Sequence, residues 1–109
     1  MMDKSKKYLS DILMAIDLIE KFTVDISDYN SYQDDLKTQS AVERQLVIIG
    51  EALNKFKKEK PSFEIENAKQ IIGFRNRLVH AYDSIDNTIV WAILNRHITK
   101  LKEEIQTIK

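Results

Sequence analysis

One segment of this chain, residues 75–82, carries three side chains that together could do chemistry. It reads Arg-Asn-Arg-Leu-Val-His-Ala-Tyr. Arg75 offers a fixed positive fork that suits a phosphate group, and His80 can exchange a proton near neutral pH. Tyr82 offers a hydroxyl that can stack, donate or be modified. The combination favours chemistry on a phosphodiester that needs no metal ion.

Helical spacing decides which of these side chains could act together. Arg75 and His80 are separated by roughly 140° on an ideal helix of 3.6 residues per turn, so they would not touch within one straight helix. Asn76 precedes His80 by one helical turn and shares its face, and Tyr82 shares the face of Arg75. A common site therefore needs Arg75 to wrap around the helix, the helix to distort, or a second subunit to contribute.

Arg75 also has a purely structural interpretation. It falls on the apolar stripe of the predicted third helix, which is formed by Ala68, Ile71, Ile72, Leu78, Val79 and Tyr82. A charge at a stripe position is costly unless it is paired or held for use. Glu51 on the preceding helix is the expected structural partner. Spacing favours a structural ion pair and a functional site about equally, because charged networks also occupy such positions.

Composition narrows the class of protein. The 109 residues fit a single domain over 1–109, and 43% hydrophobic with 31% charged residues indicates a folded chain. Seventeen basic and 17 acidic residues cancel, so any contact with RNA must be local. The absence of cysteine excludes disulfides and thiolate catalysis and is compatible with the cytoplasm, where we expect the protein. No apolar run is long enough to span a membrane.

The sequence predicts neither a metal site nor a cofactor. His80 and His97 are the two histidines, and no carboxylates stand at ligand spacing beside them. There is no glycine-rich phosphate loop. His97, next to Arg96 on the last helix, is interpreted as a solvated position.

Apolar periodicity predicts an all-α, antiparallel four-helix bundle with helices over about 3–22, 34–59, 64–82 and from 87 onward. Ser27 and Asp28 are both candidate caps in the segment after the first helix, and Asp86 is the expected N-cap of the last helix. Residues 46–49, Leu-Val-Ile-Ile, are apolar around nearly the whole second helix, which predicts a symmetric homodimer. A central position in a monomeric bundle is the alternative. Gly50 and Gly73 are single helix glycines that would allow close packing.

These residues resemble the HepT-like toxins of the HEPN superfamily. The family motif is R-x4-H-x-Y, which Arg75, His80 and Tyr82 satisfy, and Asn76 fits the preference for a polar residue after the arginine. Three further blocks agree in order along the chain, at residues 8–20, 41–52 and 86–91. Many members have a tryptophan-containing stretch after the proline that corresponds to Pro61, and this chain has Ser-Phe-Glu-Ile at 62–65.

The resemblance implies a dimeric HEPN-type bundle and metal-independent cleavage of RNA. Arg75 and His80 would be the catalytic residues and Asn76 a supporting one. It also implies a toxin–antitoxin system in which a minimal nucleotidyltransferase antitoxin attaches AMP to Tyr82. Two alternatives stay open. The chain could be a non-catalytic nucleotide- or RNA-binding subunit of a two-component nucleotidyltransferase, or a structural dimer in which Arg75 pairs with Glu51.

Overall fold

The computed structural model describes residues 3–108, which form helices joined by short loops, with no strand among them. The all-α prediction is therefore confirmed for this part of the chain. The helices are α1 (Lys4–Phe22), α2 (Tyr29–Gln33), α3 (Leu36–Glu59), α4 (Ala68–His80), α5 (Asn87–Ile93) and α6 (Thr99–Ile108). One π-helical turn, Leu94–Ile98, joins α5 to α6. Residues 1, 2 and 109 of the predicted 1–109 domain lie outside the described residues.

Aspartates begin four of these helices. In each case the carboxylate accepts a hydrogen bond from a backbone N–H of the first turn, which otherwise has no partner. The pairs are Asp3 with Ser5, Asp28 with Ser31, Asp35 with Thr38, and Asp86 with Thr88. The predicted cap at Asp86 is confirmed, and of the two candidates Ser27 and Asp28 it is Asp28 that caps a helix. Asp28 caps the short α2, which was not predicted because its five residues are too few to show a periodicity.

The core lies where α3 packs against α1 and α4, and side chains of α2, α5 and α6 complete it. Lys60, which follows α3, approaches Asp3 at the start of α1 to 3.7 Å, so these two helices run antiparallel. The predicted stripes of α1, α3 and the final helical segment are confirmed as buried; they include Leu9, Ile12, Ile16, Ile19, Val42, Leu46, Ile49, Leu53, Phe56, Val90, Ile98, Leu101 and Ile105. Val47 and Ile48, by contrast, are half-buried on α3.

The third predicted helix needs correction at both ends. It begins at Ala68 and not near 64, after Asn67 in the left-handed region (φ 67°). It ends at His80, and Tyr82 opens a separate 3₁₀ turn, Tyr82–Ser84. The Ser84 hydroxyl donates to the carbonyl of Ala81 at 2.9 Å, and a carbonyl held in this way helps to end the helix. The predicted shared face of Arg75 and Tyr82 is therefore wrong.

Two further sequence-based expectations differ from the structure. Phe74 is buried on α4, whereas Val79 and Tyr82 of the predicted stripe are exposed. His97 is half-buried, not solvated, and its Nδ1 atom is buried with no hydrogen-bond partner among residues 3–108. His97 belongs to the π turn, and the extra residue of such a turn shifts the helix phase away from the ideal wheel. No helix within the described part of the chain combines the length and apolar character needed to cross a membrane.

Candidate functional site

The Arg75 side chain projects from the middle of α4 toward α3. Its Nη2 donates to Glu51 Oε1 at 2.7 Å, and its Nη1 donates to Asn76 Oδ1 at 2.9 Å. The Arg75 side chain is 24% exposed and that of Glu51 is 47% exposed. The guanidinium is therefore partly desolvated and held by acceptors from two different helices. This contact is the ion pair expected by the structural interpretation of Arg75.

Gly50, the residue before Glu51, leaves the space that the Arg75 stem occupies. A Cβ atom built at Gly50 would lie 2.3 Å from Arg75 Cβ and 2.6 Å from Arg75 Cγ. The close packing predicted at Gly50 is therefore confirmed. At Gly73 it is wrong within this chain, since a Cβ there meets nothing within 4 Å.

One donor of Arg75 is unsatisfied. Its Nε is buried and has no hydrogen-bond partner among the described residues. A buried donor without a partner costs roughly 1–3 kcal/mol, and most native donors are paired. The two terminal nitrogens of Arg75, Nη1 and Nη2, are thus hydrogen-bonded, whereas Nε is not.

His80 and Tyr82 are both accessible at the end of α4. His80 is the last residue of the helix and is exposed, and its imidazole makes no hydrogen bond within residues 3–108. The Tyr82 side chain is 75% exposed. An accessible imidazole can exchange a proton with a ligand, and an accessible phenol can be modified, without any unfolding of the helix.

The structure thus joins only some of the residues predicted for the site. Arg75, Asn76 and Glu51 form one hydrogen-bonded group. Asn76 engages Arg75 and not His80, although it lies one turn before His80 on the same helix. Neither His80 nor Tyr82 is bonded to that group. A chemical step that uses both Arg75 and His80 therefore needs a substrate, or a second copy of the chain, to link them.

Glu43 is a partly buried carboxylate that the sequence-based reasoning did not single out. It lies on α3, two turns before Glu51, and burial raises its pKa above the ordinary value of 4.5. Its position on a helix with a buried stripe was the only available signal. Among residues 3–108, no group of three or more His, Asp or Glu side chains could hold a metal ion.

The chain is similar to one family of known proteins and to several of its members. Residues 12–108 match the family described as ribonuclease HepT-like. A protein of Methanocaldococcus jannaschii with a provisional RNase assignment is 36% identical, over 94% of this chain and 94% of its own length. A protein of Thermococcus cleftensis named as a probable ribonuclease HepT is 37% identical, over 95% of this chain and 94% of its own length. No solved structure matches the chain.

Proposed function

This chain belongs to the ribonuclease HepT-like family, and from that membership and the site on α4 we propose that it is a metal-independent endoribonuclease. One observation carries the proposal. Arg75 and His80 lie on one helix, α4: Arg75 is anchored by Asn76 and by Glu51 of α3, while His80 is exposed and unbonded within the described residues. An anchored cation and an accessible acid–base group, once a substrate or a second copy links them, suit cleavage of a phosphodiester.

In the proposed reaction, the ribose 2′-hydroxyl attacks the adjacent phosphorus. His80 removes the proton of that hydroxyl as general base. The bond from phosphorus to the 5′-oxygen breaks, and His80 of a second copy protonates the leaving oxygen. The products are a 2′,3′-cyclic phosphate and a 5′-hydroxyl. Proton transfer of this kind raises the rate roughly 10²–10⁴-fold. Arg75 donates hydrogen bonds to the non-bridging phosphate oxygens, which raises the rate by a further factor of about 10²–10³.

The second copy enters the proposal as a symmetric homodimer of antiparallel four-helix bundles. In each bundle, α5 and α6 count as one helix beside α1, α3 and α4. Exposed apolar side chains support a self-association surface. Met14 is 66% exposed on α1, and Leu18 and Phe22 follow it at four-residue spacing. Val79 is exposed between Arg75 and His80. Two copies related by a twofold axis would bring two His80 side chains into one cleft.

Tyr82 is the proposed point of control. A partner nucleotidyltransferase would transfer AMP from ATP: the Tyr82 hydroxyl attacks the α-phosphorus, and pyrophosphate leaves. The exposed side chain supports this assignment. The added phosphate would bring negative charge beside the RNA site and oppose RNA binding. The chain would then be the toxin of a toxin–antitoxin pair, acting in the cytoplasm.

The test is cleavage of total cellular RNA by the purified chain in the presence of a chelator, beside the Arg75→Ala and His80→Ala proteins. We expect cleavage by the parent alone. Equal cleavage by all three proteins would refute the assignment of the site. If unmodified parent binds RNA but leaves it intact, the chain is the non-catalytic binding subunit. If it does neither, the Arg75–Glu51 pair is structural.

A further inference from the structure

The group that holds Arg75 has one member, Glu51, whose charge works against the proposed substrate. A carboxylate beside a phosphate site repels the phosphate. We propose that Glu51 is a positioning residue, which fixes the Arg75 guanidinium through a hydrogen bond that persists while substrate is bound. This inference rests on the proposed ribonuclease function.

The first part of the argument is the fixed start of the Arg75 side chain. Its Cβ and Cγ lie where a side chain at Gly50 would otherwise stand. Because the stem lies directly against the α3 backbone, it cannot swing further toward α3. The stem thus brings the guanidinium within hydrogen-bond distance of Glu51 on α3. Only the terminal torsions are left to be set.

Two hydrogen bonds set those torsions. Glu51 of α3 accepts from Nη2, and Asn76 of α4 accepts from Nη1. Two acceptors on different helices, together with the stem, define the plane of the guanidinium. Each terminal nitrogen carries two N–H groups, and each has one bond in this arrangement. One N–H on each nitrogen therefore remains for the oxygens of a phosphate, and Glu51 need not leave when substrate binds.

Stability does not account for this ion pair. An ion pair in which one side chain is about half exposed contributes little to stability, and the 47% exposure of Glu51 places this pair in that class. The value of the contact lies in geometry, because a misplacement of about 1 Å at a reacting group can cost on the order of 10² in rate. The two effects of Glu51 then have opposite signs. Its charge weakens RNA binding, and its hydrogen bond raises the rate of the bound complex.

The experiment compares Glu51→Ala and Glu51→Gln with the parent. We expect Glu51→Ala to lower kcat about 10- to 100-fold with no rise in KM, since the repelling charge is gone. Glu51→Gln keeps an acceptor oxygen at the same reach and should stay within about threefold of the parent kcat. Glu20→Ala is the matched control. Glu20 is also a partly exposed glutamate (51%) in an ion pair between helices, with Lys102 at 2.9 Å, and its loss should leave kcat unchanged.

A second readout does not depend on activity. The held guanidinium should give separate Nη signals for Arg75 in ¹⁵N NMR, assigned from the Arg75→Lys protein. These signals should merge in Glu51→Ala and persist in Glu51→Gln, both alone and with a non-cleavable 2′-O-methyl RNA oligonucleotide.

Several outcomes would overturn the inference. Unchanged kcat in Glu51→Ala would leave Glu51 without a positioning role. Faster cleavage by both Glu51 variants would make it a counter-ion that phosphate displaces. If either outcome is found while the parent protein still cuts RNA, the positioning role of Glu51 is refuted and the proposed ribonuclease function is not. A parent that does not cut RNA defeats the proposed function first, and the positioning role with it.

Discussion

Replacing Gly50 with alanine is expected to destabilise the protein, although alanine is the better helix former by about 1 kcal/mol. The reason is the contact with α4. The new methyl group would lie 2.3 Å from Arg75 Cβ, whose position is set by the α4 backbone and not by a rotamer. Ordinary contact requires at least 3.4 Å, so α3 and α4 must separate by roughly 1 Å in a close-packed interior.

Gly73→Ala provides a matched control for this magnitude. Gly73 is also inside a helix, and a Cβ there meets nothing within 4 Å. The gain in helix propensity is common to both variants, so the difference between them isolates the steric cost. Overpacking of this kind costs about 1–3 kcal/mol. For a domain of this size, that corresponds to a Tm of Gly50→Ala roughly 4–12 °C below that of Gly73→Ala.

The assay is thermal and urea unfolding of both variants at two protein concentrations, so that any contribution from self-association can be recognised. Double variants at Gly50 and Arg75 test the same contact further. Arg75→Ala removes the 2.6 Å contact with Cγ but keeps the closer 2.3 Å contact with Cβ, so it should relieve Gly50→Ala only in part, whereas Arg75→Gly removes both contacts and should relieve it more. RNA cleavage by folded Gly50→Ala should fall by up to about 10² as Arg75 is displaced. If Gly50→Ala were as stable as Gly73→Ala, the close approach of α3 and α4 would be disproved.

Three further predictions concern Arg75, Tyr82 and Asp86. Arg75→Lys should leave Tm nearly unchanged but reduce the rate of RNA cleavage about 10²-fold, because a single ammonium cannot replace a guanidinium held at two points. Tm and the cleavage rate are measured on one preparation. A variant as active as the parent would contradict this prediction. Tyr82→Phe should change the free energy of unfolding by less than about 0.5 kcal/mol and abolish AMP attachment by the partner, read by mass spectrometry; AMP found on the variant would place the modification elsewhere. Hydrogen bonds from Thr88 lower the pKa of Asp86, so this pKa is lower in the folded protein than in the unfolded chain. The ionised carboxylate therefore stabilises the fold above pH 3.8, and this contribution is lost as the pH falls further. Asp86→Asn keeps a capping side chain that does not titrate. The Tm of this variant should therefore fall less below that pH than the Tm of the parent does. Equal losses of Tm in the two proteins would argue against the cap.

Local sequence determined the elements that depend on neighbours in the chain. Periodic apolar residues predicted the buried faces of α1 and α3. Asp86 was recognised as a cap, and Asp28 as one of two candidates with Ser27, because a cap acts within one turn of its own helix. The motif residues Arg75, Asn76, His80 and Tyr82 could also be selected in this way, by residue type and spacing. Their roles in RNA cleavage and its control stay predictions.

The end of α4 was beyond that reasoning. The apolar stripe appeared to continue to Tyr82, but the hydroxyl of Ser84 bonds to the Ala81 carbonyl, and the chain leaves the helix after His80. A stripe records which residues are apolar and not whether the backbone continues its turn. Tyr82 consequently faces solvent in a 3₁₀ turn.

The environment of Arg75 was decided only by tertiary structure. Spacing left an ion pair and a functional site equally open, and it gave Gly50 and Gly73 the same interpretation. The structure separates the two glycines, since one lies under Arg75 and the other faces open space. It also places Glu51 against the guanidinium. The physical reason is that periodicity within one helix reports which face is buried, whereas the residue opposite that face depends on how two helices, distant in sequence, cross and pack.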